Sequence, residues 1–139
     1  MQLNLIPANI IIIMNYVDKL QKSPYKLTDS RLAVLKYLEK QKKPKTIKEI
    51  HKTIKEKRIN LTSVYRTIKV FQKIGIVFEE HFLNQAYYYL DEKRHHHIVC
   101  SNCHYIECFP CDKEIKKPAN FKNIHHKLVI TGLCKKCAN

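Results

Sequence analysis

Asn60-Leu-Thr-Ser-Val-Tyr-Arg-Thr-Ile-Lys-Val-Phe-Gln-Lys-Ile-Gly75 is the stretch whose reading decides the fold. Asn60 has the short polar side chain of a helix N-cap. Leu61, Val64, Ile68 and Phe71 recur at three- and four-residue steps, so one stripe of the predicted helix is apolar. Gly75 ends it, because glycine tolerates the left-handed conformation just past a helix C-terminus. The polar face offers Thr62, Ser63, Tyr65, Arg66 and Lys69. Upstream, Thr28 caps a helix through about Gln41, with Leu32, Leu35 and Leu38 on one face and Val34 at its flank. Lys42-Lys43-Pro44-Lys45 breaks that helix, and Thr46-Ile-Lys-Glu49 has the form of a capping box opening the next, with Ile47, Ile50 and Ile54 at helical spacing. Downstream, strands at 76–82 and 85–90 flank a turn at Leu83-Asn84. This order predicts a winged helix-turn-helix whose third full helix enters a DNA major groove. There Arg66 could fork onto guanine or a phosphate, and Tyr65 could pack on a thymine methyl. The same residues would also serve as the solvated face of an ordinary helix; the element order favours DNA.

Charge supports that preference. The chain of 139 residues carries a formal charge of +14. Residues 14–80 hold 17 Lys/Arg against 7 Asp/Glu, and residues 81–139 hold 9 against 5, so the basic excess lies with the predicted helices. A polyanionic partner fits this distribution. A hydrophobic content of 45% is enough for real cores. Residues 1–13 are apolar and uncharged, and Met14-Asn15-Tyr16 looks like a natural start. Residues 1–15 are therefore expected to be a disordered or misassigned extension. They lack a signal peptide's basic start, and the run 10–14 is too short to span a bilayer.

All six cysteines fall in the C-terminal half. Cys100-Ser-Asn-Cys103 and Cys134-Lys-Lys-Cys137 are two Cys-x-x-Cys knuckles 30 residues apart. Each short turn aims two sulfurs at one point, so the pair can close a tetrahedral thiolate cage around Zn(II). His95-His96-His97 runs directly before the first knuckle. The spacing suits a reduced, cytoplasmic metal protein better than a secreted disulfide framework.

Leu61-Thr-Ser-Val-Tyr-Arg-Thr-Ile, Gly75-Ile-Val, His95-His-His-Ile-Val-Cys-Ser-Asn-Cys103 and Gly132-Leu-Cys-Lys-Lys-Cys137 together resemble the ferric uptake regulator (Fur) superfamily of metal-dependent repressors, from roughly Tyr25 onward. The resemblance implies an α+β chain. A winged-helix DNA-binding domain at 16–90 would precede a small α/β dimerisation domain at 91–139, with an antiparallel sheet. The working unit would be a homodimer on a palindromic double-stranded operator, with no role at a membrane. It also implies DNA contacts by Tyr65, Arg66 and Lys26, a structural zinc on Cys100, Cys103, Cys134 and Cys137, and a regulatory metal between the domains using His95 and His97. Loss of that metal would free a hinge near 90–94.

Other ligands do not carry over. The family's DNA-domain histidine aligns near Pro44, and its strand carboxylate aligns with Tyr88 or Tyr89. A position held by Asp or Glu in several iron- or manganese-responsive members aligns with Cys108. A soft thiolate there favours Zn(II) over Fe(II) or Mn(II). Glu79, Glu80, His81, Asp91 and Glu107 are further candidates for this shell. His96 and His126 mark an additional but incomplete site, with His125 as a substitute. Cys108-Phe-Pro-Cys111 forms a third Cys-x-x-Cys of metal, redox or inert character. Pro118 limits the expected interface helix to a short one near 112–117. Dimerisation would then rest on the sheet edge, with Ile98, Leu128 and Ile130 on its apolar face.

A metal-responsive repressor of metal-homeostasis genes, with zinc or iron as corepressor, is the leading expectation. A structural-zinc DNA-binding protein with a decayed or redox-gated sensor is the alternative, followed by a zinc-ribbon module that binds nucleic acid or protein. No phosphate loop or nucleophile motif points to an enzyme, and a four-cysteine cage leaves no open coordination position.

Overall fold

Capping chemistry sets the helix boundaries in the N-terminal part of the chain. The Thr28 hydroxyl accepts from the Arg31 amide at 3.3 Å and opens α2 (Asp29–Glu39), which stops two residues before Gln41. Thr46 and Glu49 form the reciprocal box that opens α3 (Ile47–Ile54): the Thr46 amide donates to Glu49 Oε2 at 2.8 Å, and the Glu49 amide donates to Thr46 Oγ1 at 3.2 Å. A single 3-10 turn, Lys55–Lys57, and Arg58 at φ 58° lead into the next helix. Asn60 Oδ1 accepts from the Ser63 amide at 2.8 Å, and Gly75 takes φ 66° just beyond the end of that helix, Leu61–Lys73. It is α4, because a further helix, α1 (Ala8–Gln21), precedes the three that were expected.

The computed structural model describes residues 8–90, 95–110, 119–122 and 128–139, and divides into two compact units, Met1–Asp91 and Glu92–Asn139. In the first unit, β1 (Val77–Phe82) pairs antiparallel with β2 (Gln85–Leu90). Leu83 and Asn84, both left-handed, make the two-residue turn whose twist matches the strands. Lys45 exchanges two backbone hydrogen bonds with Tyr88, at 2.9 and 2.8 Å, and so adds an isolated bridge to the hairpin. Val34, Leu35, Ile50, Val64, Ile68, Phe71 and Ile76 fill the core beneath the helices.

Two expectations about this unit need correction. Leu61 is exposed, while Thr67 is buried on the inner face of α4. Leu61 opens the helix, where the apolar stripe has not yet turned under the core. Residues 8–15, expected to lie in an extension, are helical, and Ile13, Tyr16, Val17 and Leu20 of α1 pack against the core. Four apolar positions at three-, one- and three-residue steps explain the docking, and Lys19 Nζ adds a hydrogen bond to the Gly75 carbonyl at 2.8 Å.

The second unit is built on β3 (His95–Cys100), the central strand. β4 (Ile106–Pro110) runs antiparallel to it, as expected, and β5 (Val129–Gly132) joins its other edge in parallel, which makes the sheet mixed. Ile98 lies opposite Ile130 in that parallel register, and both are exposed along with Leu128, Val129 and Leu133. The helix expected near 112–117, Cys111, the histidines at 125 and 126, and the hinge residues 91–94 all lie outside the described residues.

If α1 is integral to the first unit, Leu20→Ala should cost about 2–5 kcal/mol, a large share of a typical stability of about 5–15 kcal/mol. Urea unfolding followed by circular dichroism measures it, and a wild-type midpoint would show α1 to be an appended arm.

Candidate metal centre and nucleic-acid interface

Parallel pairing of β3 with β5 places Cys100 beside Gly132 in register, so the two knuckles follow from adjacent strand ends. The Ser101 amide and hydroxyl both donate to the Gly132 carbonyl, at 2.8 and 3.2 Å, and fasten one turn to the other. His104 at φ 62° reverses the chain after the first knuckle, and its amide returns to the Cys100 carbonyl at 3.0 Å. The outcome is a cluster in which the sulfurs of Cys100, Cys103, Cys134 and Cys137 all lie within 4.8 Å of one another.

Cys103 Sγ and Cys134 Sγ are 3.6 Å apart. Four sulfurs around a tetrahedral zinc at about 2.3 Å would be separated by about 3.8 Å, so the residues fit the metal. The donor chemistry fits as well. The Cys134 amide donates to Cys100 Sγ at 3.3 Å, and this bond, with another from the Cys103 amide, holds the Cys100 thiol down at about 6. Asn102 pulls on the Cys137 thiol in the same direction, but the neighbouring thiols of Cys103 and Cys134 push it up to about 12. Four sulfurs gathered in so small a space are what a divalent cation would hold together.

The sensor candidates are brought together only in part. His97 is fully buried and lies directly opposite Cys108 across the β3–β4 ladder, so the two side chains share one face. His96 turns to the other face, buried with its ring centroid 5.4 Å from that of Phe109. Glu107 is exposed, beside Cys108 in sequence and therefore on the face away from His97. His95 is the first residue of β3.

In the first unit, Glu80 and His81 alternate to opposite faces of β1. Glu80 is buried and accepts a hydrogen bond from the Tyr89 hydroxyl at 3.1 Å, whereas His81 is exposed and paired with the Glu79 carboxylate. Glu79 also accepts from Gln72 Nε2 at 2.8 Å. Burial alone would raise the Glu79 carboxyl, but the Gln72 and His81 hydrogen bonds hold it below the usual range. Opposite Glu79 sits Tyr88, whose phenol is pushed up to about 12 by burial first and then by the Glu79 charge. The Glu79–His81–Gln72 group was missed as a unit; an i, i+2 acid and histidine on a predicted strand was its one sequence signal. The bridge between Lys45 and Tyr88 also puts Pro44 next in the chain to Tyr88's backbone partner.

On α4, Thr62, Tyr65, Arg66 and Lys69 are all exposed and lie at i, i+3, i+4 and i+7, which is one helix face. Tyr65 is 46% exposed despite its large ring. Ser63 is half-buried, its amide engaged by the cap, and stands at the edge of this face. Lys26 is exposed, and its carbonyl accepts a hydrogen bond from the Arg31 guanidinium.

The model of the ferric uptake regulator family matches residues 22–131. The match takes in both units; the second knuckle and all of α1 fall outside it. Among similar chains, the peroxide-responsive repressor PerR of Staphylococcus epidermidis is 27% identical over 130 residues, 87% of each chain. The corresponding repressor of Staphylococcus aureus is 29% identical over 130 residues, 87% of this chain and 88% of that one. Among solved structures, the ferric uptake regulator Fur of Helicobacter pylori superposes with a TM-score of 0.75 at 20% identity, covering 96% of this chain and 95% of that one. The Fur of Vibrio cholerae superposes with a TM-score of 0.69 at 28% identity, covering 86% and 99%. With a winged helix, a mixed sheet carrying a four-thiol cage, and a family match across both units, the chain belongs to the ferric uptake regulator family, whose members are transcription regulators rather than enzymes.

Proposed function

We propose that this protein is a cytoplasmic, metal-dependent repressor that binds a palindromic duplex operator as a homodimer, with Zn(II) as corepressor. The observation that carries the reading is His97 set directly against Cys108, within a chain that also exposes Thr62, Tyr65, Arg66 and Lys69 on one helix face. An imidazole facing a thiol is a donor pair for Zn(II) rather than for Fe(II) or Mn(II), which prefer oxygen. His95, His97 and Cys108 would hold the regulatory ion. Among the first unit's candidates, Glu79 and His81 are paired with each other, whereas Glu80 is buried and engaged by Tyr89. Cys100, Cys103, Cys134 and Cys137 would hold a structural zinc, which supplies folding energy when bound. The domains would be 16–90 for DNA binding and 91–139 for dimerisation, with Ile98, Leu128 and Ile130 covered by the second subunit.

Regulation follows from linkage: the ion must bind the DNA-competent state more tightly than the other, and DNA then raises the affinity for the ion by the same factor. The decisive test is fluorescence anisotropy on a duplex selected from a random pool, with zinc and with a mild chelator. We expect zinc to tighten binding at least about fivefold, the lower end of typical coupling, and Cys108→Ser to abolish that response without unfolding the protein. An undiminished response in Cys108→Ser would remove Cys108 from the site. Cys134→Ser, in contrast, should leave α4 folded while the second unit loses its zinc and its dimer, as read by metal analysis and sedimentation. Replacing Tyr65 and Arg66 by Ala should reduce discrimination between selected and scrambled duplexes by about 1–3 kcal/mol per lost base contact.

A second reading has its own support, since the similar staphylococcal chains are peroxide-responsive repressors by name. In that case peroxide would oxidise the half-buried Cys108 thiol to a sulfenic acid, its O–O bond breaking and water leaving as the other product. Peroxide should then release DNA from the zinc-loaded native protein and fail to release it from Cys108→Ser.

A further inference from the structure

The face of α3 that points away from the core carries Lys48, Lys52 and, one step beyond its end, Lys55. Their i, i+4, i+7 spacing puts all three on one line, opposite the buried Ile47, Ile50 and Ile54. The 3-10 turn adds Lys57, and Arg58 follows it in the left-handed conformation, both exposed. Residues 45–58 hold six Lys/Arg against two Glu. One of those acids, Glu49, is committed to the capping box and to Lys45 at 3.6 Å. None of Lys48, Lys52, Lys55, Lys57 and Arg58 forms a salt bridge among the described residues.

Like charges at i, i+4 destabilise a helix, so the fold gains nothing from this line. A solvated face meant only for solubility would tolerate acids between the lysines; α3 has none on that line, and Glu56 in the turn beyond is the single acid among Lys55, Lys57 and Arg58. A polyanion turns the repulsion into attraction. In helix-turn-helix proteins the helix before the recognition helix is the one that crosses the sugar-phosphate backbone.

We propose that Lys48, Lys52, Lys55, Lys57 and Arg58 form a phosphate-binding ridge that sets the strength and salt dependence of duplex binding but not its sequence preference. The inference rests on the DNA-binding reading and divides the labour within it: the ridge anchors, and the Tyr65–Arg66 face of α4 reads.

The test uses full-length, zinc-loaded protein and two probes, the duplex selected from a random pool and a scrambled version of it. Binding is measured over a salt series for the native chain and for the Lys48→Gln, Lys52→Gln, Lys55→Gln triple variant. Each lost phosphate contact lowers the slope of log K against log salt by about 0.9. The triple variant should therefore lose about 2–3 from its slope on both duplexes. Its affinity should fall on the order of 100-fold near 0.1 M salt, with the ratio between the duplexes unchanged. Its melting temperature should equal or exceed the native value, since the repulsion is relieved. A native slope in the triple variant, with the native chain binding DNA normally, overturns the ridge alone. A change in the duplex ratio with little change in slope assigns these lysines to base reading and also overturns it. If the native chain binds neither duplex, the DNA-binding reading fails and the ridge falls with it.

Discussion

Everything in the second unit depends on bringing Cys134 and Cys137 back beside Cys100 and Cys103. That closure joins chain ends more than thirty residues apart, and ordering so long a loop has an entropic cost that only long-range contacts repay. The contacts available are few. Among the described residues, His96, His97, Val99, Cys100 and Ile106 are the buried ones, and two of the five are histidines. A unit spanning Glu92–Asn139 is near the size at which a hydrophobic core alone stops being sufficient. β5 is four residues long and joins by parallel pairing, so it has little to hold it except its ladder with β3 and the thiol cluster at its end. A cation bound by the four sulfurs would supply what the core lacks, and the Ser101–Gly132 hydrogen bonds show the backbone drawn together at that point.

The first unit has the opposite economy. Its core runs through α1, α2, α3, α4 and the hairpin, and Phe71, Leu35, Ile50, Ile68 and Ile76 are fully buried in it. Burial of that kind needs no ion. The chain thus separates a part that is stable by packing, and presents a fixed helix face, from a part whose order is tied to thiol and imidazole chemistry. Such a division suits a regulator, because metal status could alter the second part without melting the packed first unit.

The sequence disclosed the first unit well because its signals are local. Asn60, Thr46 with Glu49, Thr28 and Gly75 each act within four residues, and each stands where its chemistry placed it. What was missed depends on distance or degree. α1 escaped because an uncharged apolar run reads the same whether it docks or dangles, and the core that receives it is assembled from residues far along the chain. Leu61 is exposed because it stands in the first turn of α4, whereas Thr67 is buried in the middle of that helix, so burial follows position in the fold rather than the hydropathy of a residue. The parallel direction of β5 was hidden because the path between β4 and β5 is not a sequence signal. The thiol cluster was legible from spacing, whereas the His97–Cys108 pairing needed the register of the ladder.

That register also gives meaning to two departures that look unrelated in the sequence. The family's DNA-domain histidine aligns near Pro44 and its strand carboxylate with Tyr88 or Tyr89, and Lys45, adjacent to Pro44, is bridged to Tyr88. Both substitutions therefore fall at one place in the fold. Proline has no donor side chain, and a phenol held up at about 12 stays protonated at neutral pH and makes a poor ligand. The carboxylate of this region stands one ladder rung across, on Glu79, where Gln72 and His81 engage it. On the reading proposed above, the first unit is left with Glu79 and His81 as the paired donors of this strand, and the second unit sets a thiol opposite His97.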